Sequence, residues 1–153
     1  MAIGARIIGQ ALIEKALLDA FERWADEDIN NKHWQEQFKE DIWEYDGVTQ
    51  RKNGDIVGPD DRDIYDLGEL YESGVRSFNL QSSPNGAKAS WFWDATNASG
   101  GQYAWYVHEG EGTNRTARPF TDDISIASSF FLKQPGIDLQ DRVRKGLAAL
   151  GAR

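Results

Sequence analysis

The first forty-odd residues constrain the fold most, because their apolar side chains recur with a helical period. Ile3, Ile7, Ile8, Ala11, Leu12, Leu17, Leu18, Phe21 and Trp24 follow at three- and four-residue steps, with no proline and no interior glycine after Gly9. That spacing predicts an amphipathic helix. Asp26-Glu27-Asp28, followed by Asn30-Asn31, predicts a break or bend. The period resumes at Trp34, Phe38 and Ile42, so a second helix, or a continuation, is expected to run to about Tyr45. Two amphipathic segments of this length need a surface to lie on. The chain's own core is the expected surface at most positions, with a neighbouring subunit as the alternative for one face.

From Gly47 to Asp63 the character changes. Asn53-Gly54 and Gly58-Pro59-Asp60 are turn signals and large apolar residues are few, which predicts an extended polar loop longer than ordinary connections. Ile64, Leu67, Leu70 and Tyr71 then fall on one face of a short helix expected to close at Gly74. Residues 76–81 and 88–94 flank Ser-Ser-Pro-Asn-Gly and predict a β-hairpin, with Trp91 and Trp93 on one strand face. Residues 102–108 make a short apolar-aromatic helix or strand, and the apolar order of 121–132 chooses neither. Pro135-Gly136 is expected to break the chain before a last helix over 138–150, lined by Leu139, Val143, Leu147 and Leu150 and ended by Gly151. The expectation is one α+β domain over residues 1–153: a helical segment at 1–45, the polar loop at 46–63, and an α+β core at 64–153. In it a long N-terminal helix or helix pair and a C-terminal helix pack on a small antiparallel sheet.

Composition removes several classes of function. A chain of 153 residues can bury one real core. It has no cysteine, which excludes disulfide scaffolds, thiol nucleophiles, iron–sulfur clusters and cysteine zinc sites. No apolar run approaches the ~18–20 residues of a membrane span, and the start lacks the pattern of a signal peptide, so a soluble protein made inside the cell is expected. The net charge is −8, and residues 76–153 hold seven acids against nine bases, so the acid surplus lies entirely in the first half. An acidic chain without a basic run is a poor candidate for holding DNA. A charge split between halves suits head-to-tail packing of copies, or docking on a partner of opposite sign.

Catalytic constellations are absent from the sequence pattern. His33 and His108 share no metal-ligand spacing; His108 with Glu109 and Glu111 would bind a metal only weakly. The window from Asp61 to Glu72 fails as a calcium loop, since its sixth position is Asp66 and Tyr65 stands where an oxygen ligand belongs. Acids are plentiful, but nothing marks any two as facing each other across a cleft. No phosphate-binding glycine loop is present. No enzyme activity and no cofactor are therefore expected. The aromatic cluster Trp91, Trp93 and Trp105 leaves a small carbohydrate-binding or carbohydrate-active domain as the alternative. A bacterial regulator with a helical dimer interface ranks below both, because no DNA-reading motif appears.

Two stretches carry a family resemblance. Arg62–Ser73 contains Asp66, Gly68, Leu70 and Ser73 in the order of a D-x-G-x-L-x-x-S segment. Tyr103-Ala104-Trp105-Tyr106-Val107-His108-Glu109-Gly110, then Gly112-Thr113, then Ala117-Arg118-Pro119-Phe120 follow a Y-A-x-x-V-H/E-x-G-T … A-R-P-F signature. Both resemble the virion-morphogenesis, or neck and tail-completion, proteins of tailed bacteriophages, and the order of elements is similar along most of the chain. The resemblance implies a virion structural protein at the head–tail junction, acting as tail-completion or tail-terminator protein. It implies a homo-oligomeric ring of six or twelve copies between connector or portal-side proteins and the tail, with genomic DNA passing through the lumen without sequence-specific binding and no membrane involved. The clustered acids of 55–63, or the acidic helix, would then face the channel or the next ring. Locally, Gly68 is expected to admit a close backbone, and Arg118-Pro119-Phe120 to pin a loop on the core with His108 and Glu109 positioning Arg118. Thr121-Asp122-Asp123 departs from the family's pattern.

Overall fold

The structure, a computed structural model, describes residues 9–40, 42–43, 47–51, 54–58, 64–65, 67–83, 85–97, 99–110, 117–122, 124 and 130–151. Residues 10–39 form one helix in three segments of two windings: α1 (Gln10–Arg23), a π-helical segment (Trp24–His33) and α2 (Trp34–Lys39). Backbone angles at both junctions stay right-handed helical, so the expected break at the acidic triplet does not occur. The reason lies in side-chain spacing. Ala25, Ile29, Trp34 and Phe38 are buried, at steps of four to five residues. An α-helix started at Trp24 would bring polar Asp28 and Gln35 round to the same side. Hydrogen bonds five residues back, as from Trp34 N–H to Ile29 O, widen the turn and keep the apolar line continuous.

Tertiary contacts hold that wide winding. Arg142, from the C-terminal helix, donates from Nη2 to Glu27 Oε2 at 2.7 Å and to Asp28 Oδ1 at 2.8 Å, while its Nε bonds the second Asp28 oxygen. Hydrogen bonding to Asp28, with Glu27 adding to it, holds the guanidinium charged well above its ordinary range despite the opposing effect of burial. Trp91 Nε1 donates to the buried Asn30 Oδ1 at 3.0 Å. The acids that read as a breaker in the sequence are thus one half of a helix–helix clamp.

The helix stops at Lys39 rather than near Tyr45. Glu40 turns extended and Ile42 lies 46% exposed, off the apolar line. The polar loop is not featureless either: β1 (Thr49–Gln50) pairs antiparallel with β2 (Ile56–Val57) across a turn in which Gly54 N–H donates to Arg51 O. Next come α3 (Glu69–Arg76) and the hairpin of β3 (Asn79–Ser83) and β4 (Gly86–Ser90), in register Ser83↔Gly86 through Asn79↔Ser90. The hairpin matches expectation with shifted bounds, since residues 76–78 close α3 and 91–94 run on without a ladder partner. Directly paired Leu80 and Ala89 turn onto the core. α4 (Ala104–Glu109), a 3-10 turn at Phe130–Leu132 and α5 (Gln134–Gly151) complete the α+β fold.

Two expected stops are not stops. α3 runs through Gly74 to Arg76, because the Trp93 indole occupies the place a Cβ at residue 74 would take. α5 begins at Gln134 and includes Pro135 and Gly136. A proline is tolerated in the first turn, where its missing N–H has no intrahelical acceptor. Pro135 is buried, and its carbonyl accepts the Trp24 indole N–H at 2.8 Å.

Gly74→Ala decides between two opposing effects. Helix propensity alone favours alanine by about 1 kcal/mol. Displacing the packed Trp93 ring is expected to outweigh that, giving a net loss of about 1–2 kcal/mol in chemical denaturation. Arg142→Met is expected to cost about 1–3 kcal/mol by leaving Asp28 half-buried and unpaired. It should also lower hydrogen-exchange protection across residues 24–33 before the rest of the core.

Candidate functional site

The two stretches singled out in the sequence meet on one ring, Phe38. In the first, Gly68 immediately precedes α3; its φ of +85° is left-handed and an added Cβ would lie 2.6 Å from Tyr65 Oη. The left-handed conformation favours glycine there, and an added Cβ would also displace the Tyr65 side chain. Gly68 stands before the helix rather than within it, and what crowds it is a side chain, not another backbone. Leu70 is buried, Ser73 is buried with its hydroxyl on Leu70 O at 2.9 Å, and Tyr71 packs 5.8 Å from Phe38. Lys39 Nζ lies 4.8 and 4.6 Å from the Tyr65 and Tyr71 ring centroids, tying α3 to the end of α2 by cation–π attraction. Asp66 lies outside the described residues.

The second stretch forms a corner around α4. Tyr103 precedes the helix and its N–H donates to Ala95 O at 3.2 Å, below a turn organised by Asn97, whose Oδ1 accepts from Ser99 and Gly101 N–H. α4 ends at Gly110 with φ +69°. Gly112 and Thr113 lie outside the described residues. The chain returns at Ala117, and Arg118 N–H donates to both Val107 O, at 3.0 Å, and His108 O, at 3.1 Å. This main-chain donor satisfies carbonyls that the end of α4 would otherwise leave open. Tight turns follow, with Phe120 N–H on Arg118 O and Asp122 N–H on Pro119 O.

Phe120 anchors the corner. It is 2% exposed, with Phe38 at 4.7 Å, Trp93 at 5.2 Å and the His108 ring edge-on at 5.2 Å. The imidazole of His108 bonds Glu109 Oε1 through Nδ1 at 2.6 Å and Thr121 Oγ1 through Nε2 at 2.8 Å, with Asp122 Oδ1 3.5 Å away. The contact between Arg118 and His108 runs through the main chain. The His108 backbone carbonyl receives Arg118, while its ring staples the turn that follows Phe120. Thr121 and Asp122, a departure from the family's pattern in sequence, are the residues that receive the staple. Nothing local in the sequence marked Thr121 as a partner, because the pairing spans thirteen positions and a segment with no periodicity.

The aromatic residues considered for sugar binding divide. Trp91 and Trp93 turn inward, edge-on to Trp34 at 5.7 and 4.9 Å, while Trp105 is 59% exposed on α4. Trp91 and Trp93 are therefore half-buried packing residues rather than a platform of exposed rings. Among the described residues no three His, Asp or Glu side chains gather as a metal site would require, and no described helix is long and apolar enough to cross a membrane. No family model, curated protein or solved structure matches the chain.

Phe120→Ala is expected to cost about 3–5 kcal/mol, the range for emptying a buried aromatic site. Thr121→Val keeps the shape and removes one hydrogen bond, for about 1 kcal/mol. Urea titrations of both variants check the order; equal losses would contradict the anchoring role of Phe120.

Proposed function

We propose that this chain is a structural subunit of a tailed-bacteriophage neck, a tail-completion or tail-terminator protein that forms a ring of six or twelve copies between head and tail. One observation carries the proposal: the two sequence segments that resemble this family lie far apart in the chain, yet α3 and the Arg118–Phe120 corner converge on Phe38. Residues shared with a family are expected to converge in this way when they maintain a common scaffold. The side chains at the corner are tied to one another and to the core, which suits a rigid bearing surface. Mechanism follows from repetition: heterologous contacts between identical subunits close into a ring when the rotation per subunit closes. An acid-rich subunit suits a channel through which DNA slides, because phosphates are repelled rather than held.

Native mass spectrometry over a concentration series tests the proposal, with and without a purified head-side connector ring. Closed species of six or twelve copies, or stoichiometric capture by the connector, are the expected results. A dimer that neither grows nor binds connector would overturn it.

A further inference from the structure

Resting on the ring proposed above, we infer that the subunit contact is made by the outer flank of α1 in one copy against the outer flank of α5 in the next. α1 and α5 pack on each other, with β4 also against α1. The two helices run antiparallel, with Gly146 packed against Ala16 and Trp24 bonded to Pro135. Beyond that contact burial fails: no residue from Gly9 to Asp19, and none from Ile137 to Gly151, is fully buried. Leu12 is 52% exposed, Leu17 40% and Leu147 36%. A helix pair covers only one stripe of each member, and stable helical assemblies cover the remaining apolar flank with further helices.

Charge selects the occupant. α1 carries Glu14 and Leu17 three residues apart, hence side by side on one flank. α5 carries Arg144 and Leu147 with the same spacing, and Arg144 is exposed. With α1 laid parallel to the α5 of a second copy, the two pairs superpose: Leu17 meets Leu147 and Glu14 meets Arg144. Parallel packing of α1 on another α1 would set Glu14 against Glu14 instead. The existing bonds of these residues are weak competitors, since Glu14 takes only the Gln10 amide and Arg144 pairs with Asp141 in the open. Within one subunit the same chemistry already works, with Arg142 of α5 clamping Glu27 and Asp28 of the N-terminal helix. Because the flanks differ, the contact is head-to-tail, the kind that closes rings.

Reciprocal charge reversal tests the contact. Glu14→Arg and Arg144→Glu, each alone, are expected to weaken assembly about tenfold in native mass spectrometry, by turning one attraction per contact into repulsion. Mixed in equal amounts they should restore closed species with strictly alternating composition, since each contact then pairs opposite charges. Leu17→Ser, at a site already exposed to solvent, is expected to weaken assembly without lowering the denaturation midpoint. Single variants that assemble like the wild type, or a mixture that recovers nothing, would overturn this contact while leaving the ring intact. A wild-type chain that stays monomeric both alone and with connector would overturn the contact and the ring together.

Discussion

The structure depends on two aromatic rings on one helix, Trp34 and Phe38. Trp91 and Trp93 stand edge-on to Trp34; Tyr71 and Phe120 pack on Phe38, whose carbonyl also accepts the Ile64 N–H. The polar segment's exit, α3, the strand-like run after the hairpin and the corner after α4 are therefore all positioned against two neighbouring turns of α2. Large aromatic side chains make this economical in a chain with short strands and short helices, since each buries much area and prefers tilted or edge-on neighbours. The wide winding of the π segment belongs to the same constraint. It brings both rings into line with Ala25 and Ile29, and without that alignment α2 would present polar side chains to the core.

A second set of contacts distributes the burden of holding the helix. Arg142 clamps the acids of the π segment from α5, Asn30 receives the Trp91 indole, and Pro135 receives the Trp24 indole. Each joins residues far apart in sequence, so local unfolding of the N-terminal helix and loss of α5 are coupled events. Among the described residues, 10–19 of α1 and 137–151 of α5 include none that is fully buried. That contrast separates a bonded aromatic core from a less buried helix pair.

The corner built by Tyr103–Glu109 and Arg118–Asp122 is held by main-chain bonds and by the His108 ring. Arg118 acts through its N–H, Pro119 through its carbonyl, and His108 through both its carbonyl and its ring. A signature rich in His, Glu and Arg invites a catalytic interpretation. Here the His108 ring fastens Glu109 to the turn at Thr121.

Much was legible from the residues alone. The helical period of 10–39, the hairpin at 79–90 and the C-terminal helix follow from apolar spacing and turn chemistry, both local properties of the chain. The inward packing of Trp91 and Trp93 could be seen as one of two outcomes of their alternation. What the sequence alone could not decide were features whose cause lies on another element. The acid triplet continues the helix because Arg142 meets it, Gly74 continues α3 because Trp93 needs its space, and Thr121 matters because His108 lies beside it. Local propensity sets which segments can be helix or strand. Winding, endpoints and side-chain partners were settled only when distant segments came together, because the energies that decide them are those of tertiary contacts.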